Sequence, residues 1–227
     1  MTRAARLLAF QRRLLAWYRV HSRKLPWRAT RDPYKILVSE IMLQQTQVDR
    51  VVPKYHEFLQ RYPTLQALAR ARSAELRKTW SPLGYNIRPL RLRRIAQRTL
   101  REHGGRIPDS YEGLLAMDGI GRYTAGAVLS FAFNKDAPIV DTNVARLLSR
   151  YFGVPTAKGR AYRQLWRLAE QVIPVGKAYL INQAMMDFGA TVCTARAPRC
   201  PSCVLRRSCR SFPWDAPTTR ASRPRAD

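Results

Sequence analysis

Apolar residues recur at the spacing of an amphipathic helix along almost the whole chain, whereas strand-like alternation is confined to the short stretch 137–140. This pattern predicts helix after helix and therefore an all-α fold. Start signals agree, because Asp109 with Glu112 is a capping-box pattern, and Thr64 and Ser73 each precede an apolar run. The predicted helices are 36–48, 51–61, 65–71, 74–80, 90–102, 111–117, 124–133, 144–151, 161–172 and 178–188.

The first 18 residues are rich in arginine and carry no acidic residue, which is a feature of organellar transit peptides. Leu7, Leu8, Leu14, Leu15 and Tyr18 have the spacing of one helical face, so we interpret the segment as the first helix of the fold. The chain shows no secretory signal and no apolar run long enough to span a membrane. We therefore expect a cytoplasmic protein whose cysteines do not form disulfides.

The charge of the chain indicates a polyanionic partner. The 227 residues include 41 Lys plus Arg against 15 Asp plus Glu, which gives a net charge of +26. Solubility needs only a few charges of either sign, whereas a phosphate backbone releases counterions wherever a cation neutralises it. The basic residues are spread along the chain rather than clustered as in a membrane-binding segment. Nucleic acid is therefore the predicted partner of one large domain, or of two small domains that share an interface.

All four cysteines lie in one short segment, separated by gaps of six, two and five residues. Four thiolates so close together can surround one metal centre, whose positive charge offsets theirs. Zinc sites more often use two close pairs of cysteines, but the spacing alone leaves an iron–sulfur cluster and zinc both open, and four reduced thiols without a metal are the further alternative. The predicted ligands are Cys193, Cys200, Cys203 and Cys209.

Two acidic residues are candidates for catalysis. Glu40 follows Ile36 and precedes Leu43 on an apolar face, where desolvation would raise the pKa of its carboxyl. A partly exposed glutamate is the alternative there. Asp141 precedes an apolar helix beginning near Val144, so it has both a catalytic interpretation and a plain one as a helix N-cap. Between predicted helices, Gly119 and Gly121 allow a tight turn whose amides can approach a phosphate, although such a pair by itself is weak evidence.

Several longer segments together carry a family resemblance. The chain resembles the helix-hairpin-helix/Gly-Pro-Asp superfamily of base-excision glycosylases, and within it the MutY adenine glycosylase family. The cysteine spacing matches as well, and the resemblance runs from about Leu25 to Cys209. The segments are Leu25-Pro26-Trp27-Arg28, residues 39–48 (SEIMLQQTQV), Leu83-Gly84-Tyr85, residues 119–126 (GIGRYTAG), residues 140–144 (VDTNV) and residues 182–189 (NQAMMDFG).

The resemblance implies two helical lobes with a DNA cleft between them. A six-helix barrel that carries the helix-hairpin-helix would span 24–136. The second lobe would combine 1–23 with 137–212 and bind one [4Fe–4S] cluster through the four cysteines. Residues 213–227 are predicted to be a basic, disordered tail. Family members of full length continue into a domain that recognises 8-oxoguanine, so the resemblance implies weaker preference for that base here.

The resemblance also implies residue roles. Glu40 would be the general acid that protonates adenine, and Asp141 the carboxylate that stabilises the oxocarbenium-like sugar. Tyr123 and Asn143 would support this pair. Arg28 would line the base pocket, while Gln45 and Tyr85 would wedge into the duplex. The remaining DNA-contacting positions implied are Gln44, Gly119 and Gly121.

These expectations define a monofunctional enzyme that acts as a monomer on duplex DNA containing a mismatch. Relatives that also cut the strand use a lysine at the position of Tyr123, and a phenol cannot form their Schiff base. The expected substrate is adenine opposite guanine or 8-oxoguanine. The alternative is thymine or uracil opposite guanine, because shorter relatives of that kind share the scaffold. A third hypothesis is a catalytically silent iron–sulfur protein that binds DNA. Asp118 and the segment 86–89 depart from the family pattern.

Overall fold

The computed structural model describes residues 1–156 and 159–213, and in this part of the chain all regular secondary structure is helical. The predicted tail lies almost wholly outside the described residues. The α-helices are α1 (Arg3–His21), α2 (Pro33–Leu43), α3 (Val48–Arg61), α4 (Leu65–Arg70), α5 (Ser73–Trp80), α6 (Ile87–Glu102), α7 (Tyr111–Leu115), α8 (Arg122–Phe131), α9 (Thr142–Phe152), α10 (Arg160–Gln171) and α11 (Ala178–Thr191).

The buried apolar residues form two clusters, one for each helical lobe. The first lies among α2–α8 and includes Trp27, Ile41 and Trp80. The second joins α1 with α9–α11 and includes Phe10 and Phe188. The two-lobe all-α architecture predicted from the sequence is therefore confirmed. The boundaries 24–136 and 137–212 remain predictions. No helix in the described ranges is both long enough and apolar enough to cross a membrane.

Four local expectations are wrong. The helix predicted over 36–48 ends too late, because α2 ends at Leu43 and a non-helical turn separates it from α3, which begins at Val48. The stretch 137–140 is extended without strand pairing. Ser110, whose side chain accepts from the Gly113 amide, caps α7 in place of Asp109. Leu8 is 66% exposed, because the face of α1 that packs inward carries Phe10, Leu14 and Tyr18.

Two glycines let the chain segments that build the cleft approach closely. A Cβ on Gly126 of α8 would collide with the Pro138 carbonyl oxygen, so this glycine admits the extended segment that leads to Asp141. A Cβ on Gly189 of α11 would lie 2.8 Å from the Asn143 Cβ. Because of the close packing at these two positions, the start of α9 and the segment before it contact both α8 and α11.

Candidate active site

A cleft of about 720 Å³ lies where the two lobes meet, and residues from both of them line it. Glu40 and Tyr123 come from the first lobe, and Asp141 and Asn143 from the start of α9. Of the other predicted residues, Arg28, Gln44 and Gln45 also line the cleft, whereas Tyr85, Gly119 and Gly121 do not. The fold therefore brings into one cleft residues that are far apart in the chain.

Glu40 lies in the last turn of α2 and is 3% exposed. Its Oε2 has no hydrogen-bond partner among the described residues. The pKa of Glu40 is raised to about 7, mainly by burial and also by the negative charge of Asp141, while the Tyr123 hydroxyl and the positive charge of Arg28 act in the opposite direction. A carboxyl with this pKa can carry a proton at neutral pH and give it up readily.

Tyr123 occupies the first turn of α8, and its hydroxyl lies 3.5 Å from the Met186 sulfur. Burial, followed by the charges of Glu40 and Asp141, raises the pKa of the Tyr123 phenol well above its usual value. The phenol therefore stays protonated at neutral pH and is a hydrogen-bond donor toward Glu40.

Asp141 is the N-cap of α9 and faces the cleft. Its Oδ1 accepts a hydrogen bond of 2.7 Å from the Val144 amide, and its Oδ2 accepts one of 3.0 Å from the Asn143 side chain. Glu40 and Asp141 are thus two carboxyl groups in one cleft, one desolvated and the other held by hydrogen-bond donors.

Arg146 connects this end of α9 with the cysteine-bearing segment. Its Nη2 donates to the Asn143 side-chain oxygen over 2.7 Å and to the Gly189 carbonyl over 2.6 Å. Its Nε donates to the Cys193 carbonyl over 2.7 Å. One guanidinium therefore joins the partner of Asp141 to the backbone of the first cysteine.

Arg28 is fixed in the cleft by a buried carboxylate. Its two terminal nitrogens donate to the two oxygens of Asp187 over 2.7 and 2.8 Å, and the Nε of Arg23 donates to the same carboxylate over 2.6 Å. Burial alone would raise the pKa of Asp187, but the hydrogen bonds and charges of Arg28 and Arg23 hold it below its usual value. Both guanidiniums therefore face a fully ionised partner.

The hairpin before α8 has the tight turn expected of Gly119. This residue has a φ of +81°, and a Cβ there would lie 2.8 Å from the Arg91 side chain. The Asp118 carboxylate pairs with Arg94 over 2.6 Å at the surface. Gly121 is the N-cap of α8, and a Cβ at this position would meet no described atom within 4 Å. The turn is therefore open to a ligand on the side of Gly121.

The four cysteines line one common cavity, together with the apolar side chains of Leu147, Tyr151, Phe188 and Leu205. Arg150 holds the segment after the first cysteine, donating to the Thr194 carbonyl over 2.6 Å and to the Ala195 carbonyl over 2.9 Å. Within residues 1–156 and 159–213, no group of three or more His, Cys, Asp or Glu side chains is placed to hold a single metal ion. The shared cavity nevertheless suits a sulfur-bound group shielded from water.

Gln183 is a cleft residue that the sequence analysis did not single out. It lies on α11, is 3% exposed, and its Oε1 has no hydrogen-bond partner in the described part of the chain. It faces the same cleft as Glu40. A polar residue between apolar positions of a predicted helix was the available signal, but neighbouring Asn182 gives the same signal and bonds to Ser130 and Ala137 instead.

Comparison with known proteins agrees with this geometry. Residues 38–171 match the model of the HhH-GPD superfamily of base excision DNA repair proteins. The chain is 37% identical to an adenine DNA glycosylase of Buchnera aphidicola (subsp. Baizongia pistaciae) over 206 residues, which are 90% of this chain and 59% of the relative. It is 41% identical to a thymine-DNA glycosylase of Aeropyrum pernix over 210 residues, 90% of this chain and 94% of the relative.

The fold is similar to that of a solved thermostable thymine-DNA glycosylase, with a TM-score of 0.87 and 33% identity over 92% of this chain and 97% of the other. The chain spans less than two thirds of the length of the adenine DNA glycosylases it matches, and nearly the whole length of the thymine-DNA glycosylase.

Proposed function

Because the chain belongs to the HhH-GPD superfamily of base excision DNA repair proteins, we propose that it is a monofunctional DNA glycosylase that removes adenine mispaired with guanine or 8-oxoguanine. The observation that carries the proposal is the pair formed by buried Glu40, with its pKa raised to about 7, and Asp141 in the same cleft. The net charge of +26 supports duplex DNA as the substrate. We propose further that the protein acts as a monomer, with the DNA in the cytoplasm.

In the proposed reaction the flipped base enters the cleft, and protonated Glu40 donates to its ring, so that the base leaves as a neutral molecule. Ionised Asp141 stabilises the positive charge that develops on the sugar and directs a water to it. Tyr123 donates a hydrogen bond to Glu40, and Asn143 holds the Asp141 carboxylate. Tyr123 offers no amine for a Schiff base, so the product is an abasic site in an intact strand.

Gln183 favours adenine over thymine. Its buried amide oxygen has no partner among the described residues and can accept a hydrogen bond from the exocyclic amine of adenine. Thymine has no exocyclic amine, so only its ring N–H could donate to this buried acceptor, and where that group does not reach it the unpaired oxygen costs about 1–3 kcal/mol. Arg28, held by Asp187, supplies donors on another side of the same cleft.

A panel of mismatched duplexes tests the proposal. We expect release of adenine opposite guanine and opposite 8-oxoguanine, with strand breaks in a gel assay only after alkali treatment. Gln183→Leu should slow adenine release about 10- to 100-fold, because the acceptor is lost. Gln97→Leu, at an exposed glutamine of α6 that does not line the cleft, is the matched control and should leave the rate unchanged. Strand breaks without alkali would contradict the monofunctional mechanism.

The second candidate function is excision of thymine or uracil opposite guanine. It is favoured by the thymine-DNA glycosylase of Aeropyrum pernix, 41% identical and matched over 94% of its length. Release of thymine or uracil and not adenine in the same panel would establish it. Binding to every duplex with no base released would instead support a catalytically silent DNA-binding protein.

We also propose that Cys193, Cys200, Cys203 and Cys209 hold one [4Fe–4S] cluster. Each cysteine of such a cluster binds a different iron, so the four sulfurs surround a volume, and the shared cavity supports this arrangement. When bound, the cluster would fix the cysteine-bearing segment as a rigid element. Arg146 and Arg150, which bond to the backbone of that segment, would then hold the start of α9 in place.

Metal analysis tests the cluster directly. The protein purified without oxygen should be yellow-brown and contain about four irons per chain. Cys200→Ser should lose iron and the visible absorbance, whereas Ser202→Ala, two residues further along the same segment, should keep both. Stoichiometric zinc in a colourless protein would contradict the cluster and support a zinc site.

A further inference from the structure

Two loops beside the cleft contain residues in an unfavourable backbone conformation. Gln45, between α2 and α3, has a φ of +56°, and Tyr85, before α6, has a φ of +48°. Non-glycine residues adopt this left-handed region at a cost in conformational free energy and keep it only when their surroundings hold them there. Tyr85 is 60% exposed, so its own side chain supplies little of that support.

A single buried side chain, Arg88, contacts both loops. Its Nη1 lies 3.1, 2.9 and 2.5 Å from the carbonyl oxygens of Ile41, Met42 and Gln44, which surround the end of α2. Its Nη2 bonds to the Thr46 hydroxyl over 3.1 Å. The partners on one side of Arg88 therefore enclose Gln45.

The same Nη2 also reaches the other loop, with distances of 3.0 Å to the Leu83 carbonyl and 3.1 Å to the Gly84 carbonyl. The guanidinium carbon lies 5.3 Å from the ring centre of Tyr85 and 5.3 Å from that of Trp80. One nitrogen atom thus joins the loop of Gln45 to the loop of Tyr85.

The chemistry of this contact requires arginine. Arg88 is 3% exposed, and its hydrogen-bond partners are carbonyl and hydroxyl oxygens, several of them at the negative end of the α2 dipole. The four N–H groups of the two terminal nitrogens face six oxygen atoms, so some are shared, and the fixed planar fork of a guanidinium spans both loops. A lysine would keep the charge but, as a single ammonium with three donors, could not bridge both loops.

We propose that Arg88 is a positioning residue that holds Gln45 and Tyr85 as one rigid wedge, so that duplex opening depends on it although it contacts neither the base nor the reacting atoms. The proposal rests on the proposed function and on the role that the family resemblance implies for these two residues, which is to enter the duplex. Arg88 belongs to the segment 86–89 that departs from the family pattern, so the family resemblance implies no role for it. We infer its role from its contacts with the two loops.

The test measures duplex opening without bond cleavage. In a Glu40→Gln background, a 2-aminopurine next to the mismatched base should brighten on binding, because it loses its stacking partner whichever base is extruded. Adding Arg88→Lys should remove most of this increase. Arg93→Lys is the matched control, since Arg93 is on the same helix and donates to the carbonyl of Ala71, the residue that follows α4. It should behave like the parent.

Single-turnover rates separate positioning from a general loss of structure. On a duplex with one mismatch, Arg88→Lys should slow excision about 100-fold, the size expected of a small misplacement. On a duplex in which the target lies in a pre-opened bubble, its rate should stay within about threefold of the parent. If Arg88→Met folds, it should show the same difference in excision rate between the two duplexes. If it does not fold, Arg88→Lys alone tests the proposal.

Equal slowing on both duplexes, or an undiminished fluorescence increase with Arg88→Lys, would overturn the proposal. These outcomes are distinct from failure of the proposed function. If the enzyme removes thymine, the duplex panel shows it while the fluorescence increase and its dependence on Arg88 are still measured. If no base is released, the fluorescence measurement alone decides.

Discussion

Glu40→Gln is expected to reduce base excision by about 10²- to 10⁴-fold while duplex affinity stays within about threefold. Glutamine has nearly the same volume and fills the same buried position, but its amide has no proton to transfer to the leaving base. Single-turnover assays and binding titrations on the same mismatched duplex measure the two effects. Glu57→Gln is the control, because Glu57 is an exposed partner of Lys54 far from the cleft.

The pH dependence follows from the same group. Glu40 must be protonated to act as the acid, and its pKa is raised to about 7. The single-turnover rate should therefore be highest below about pH 7 and fall tenfold per pH unit above it. A rate that rises through this range would show that Glu40 acts as a base and not as an acid.

The same substitution should stabilise the protein. Burial raises the pKa of Glu40 from 4.5 to about 7, so the folded state binds the proton more tightly than the unfolded chain. The bound proton therefore contributes to the free energy of unfolding. This contribution is fully present below the pKa of 4.5 that Glu40 has in the unfolded chain, and it is lost as the pH rises to about 7. One pKa unit corresponds to about 1.4 kcal/mol, so Glu40→Gln should be about 3 kcal/mol more stable than the parent above pH 7. Denaturant unfolding at about pH 5 and about pH 8 should show the gain growing with pH.

The helices could be predicted from the sequence because each buries one face, and the spacing of that face is visible locally. The errors in helix ends and N-caps lie where the local sequence is compatible with two structures. The apolar run through 36–48 is interrupted at Gln44, whose neighbour Gln45 has a positive φ, and residue type does not reveal this. Ser110 and Asp109 are both good N-caps, and Asp109 instead pairs with Lys135, which is 26 residues away.

The site divides in the same way. The burial of Glu40 could be predicted from its own helix, since apolar residues surround it at helical spacing. The roles of Gln183 and Arg88 could not be predicted, because they depend on which groups contact these two side chains from other parts of the fold. The amide oxygens of Gln183 and Asn182 both lack a partner among the described residues, and Gln183 differs in lining the cleft. Arg88 is one of many arginines on α6, and only the tertiary structure shows it between two loops.

Asp141→Asn should also reduce excision strongly. The carboxylate faces the cleft beside Glu40, so its negative charge lies where positive charge develops on the sugar. A charge about 4 Å away in a site with an effective dielectric constant of about 20 contributes about 4 kcal/mol, which corresponds to roughly 10³-fold in rate. The neutral amide loses this stabilisation and can no longer accept a proton from the attacking water.

The loss of charge can be separated from the loss of the helix cap. Asp141 Oδ1 accepts from the Val144 amide, and asparagine and serine are about as good as aspartate at an N-cap. Asp141→Asn and Asp141→Ser should therefore unfold within about 1 kcal/mol of the parent, whereas Asp141→Ala should lose about 1 kcal/mol more. All three should excise at least about 10²-fold more slowly in single-turnover assays, because none carries the charge. If the excision rate of Asp141→Ser fell no more than its small loss of stability explains, Asp141 would act as a helix cap alone, and the two-carboxylate mechanism would be wrong.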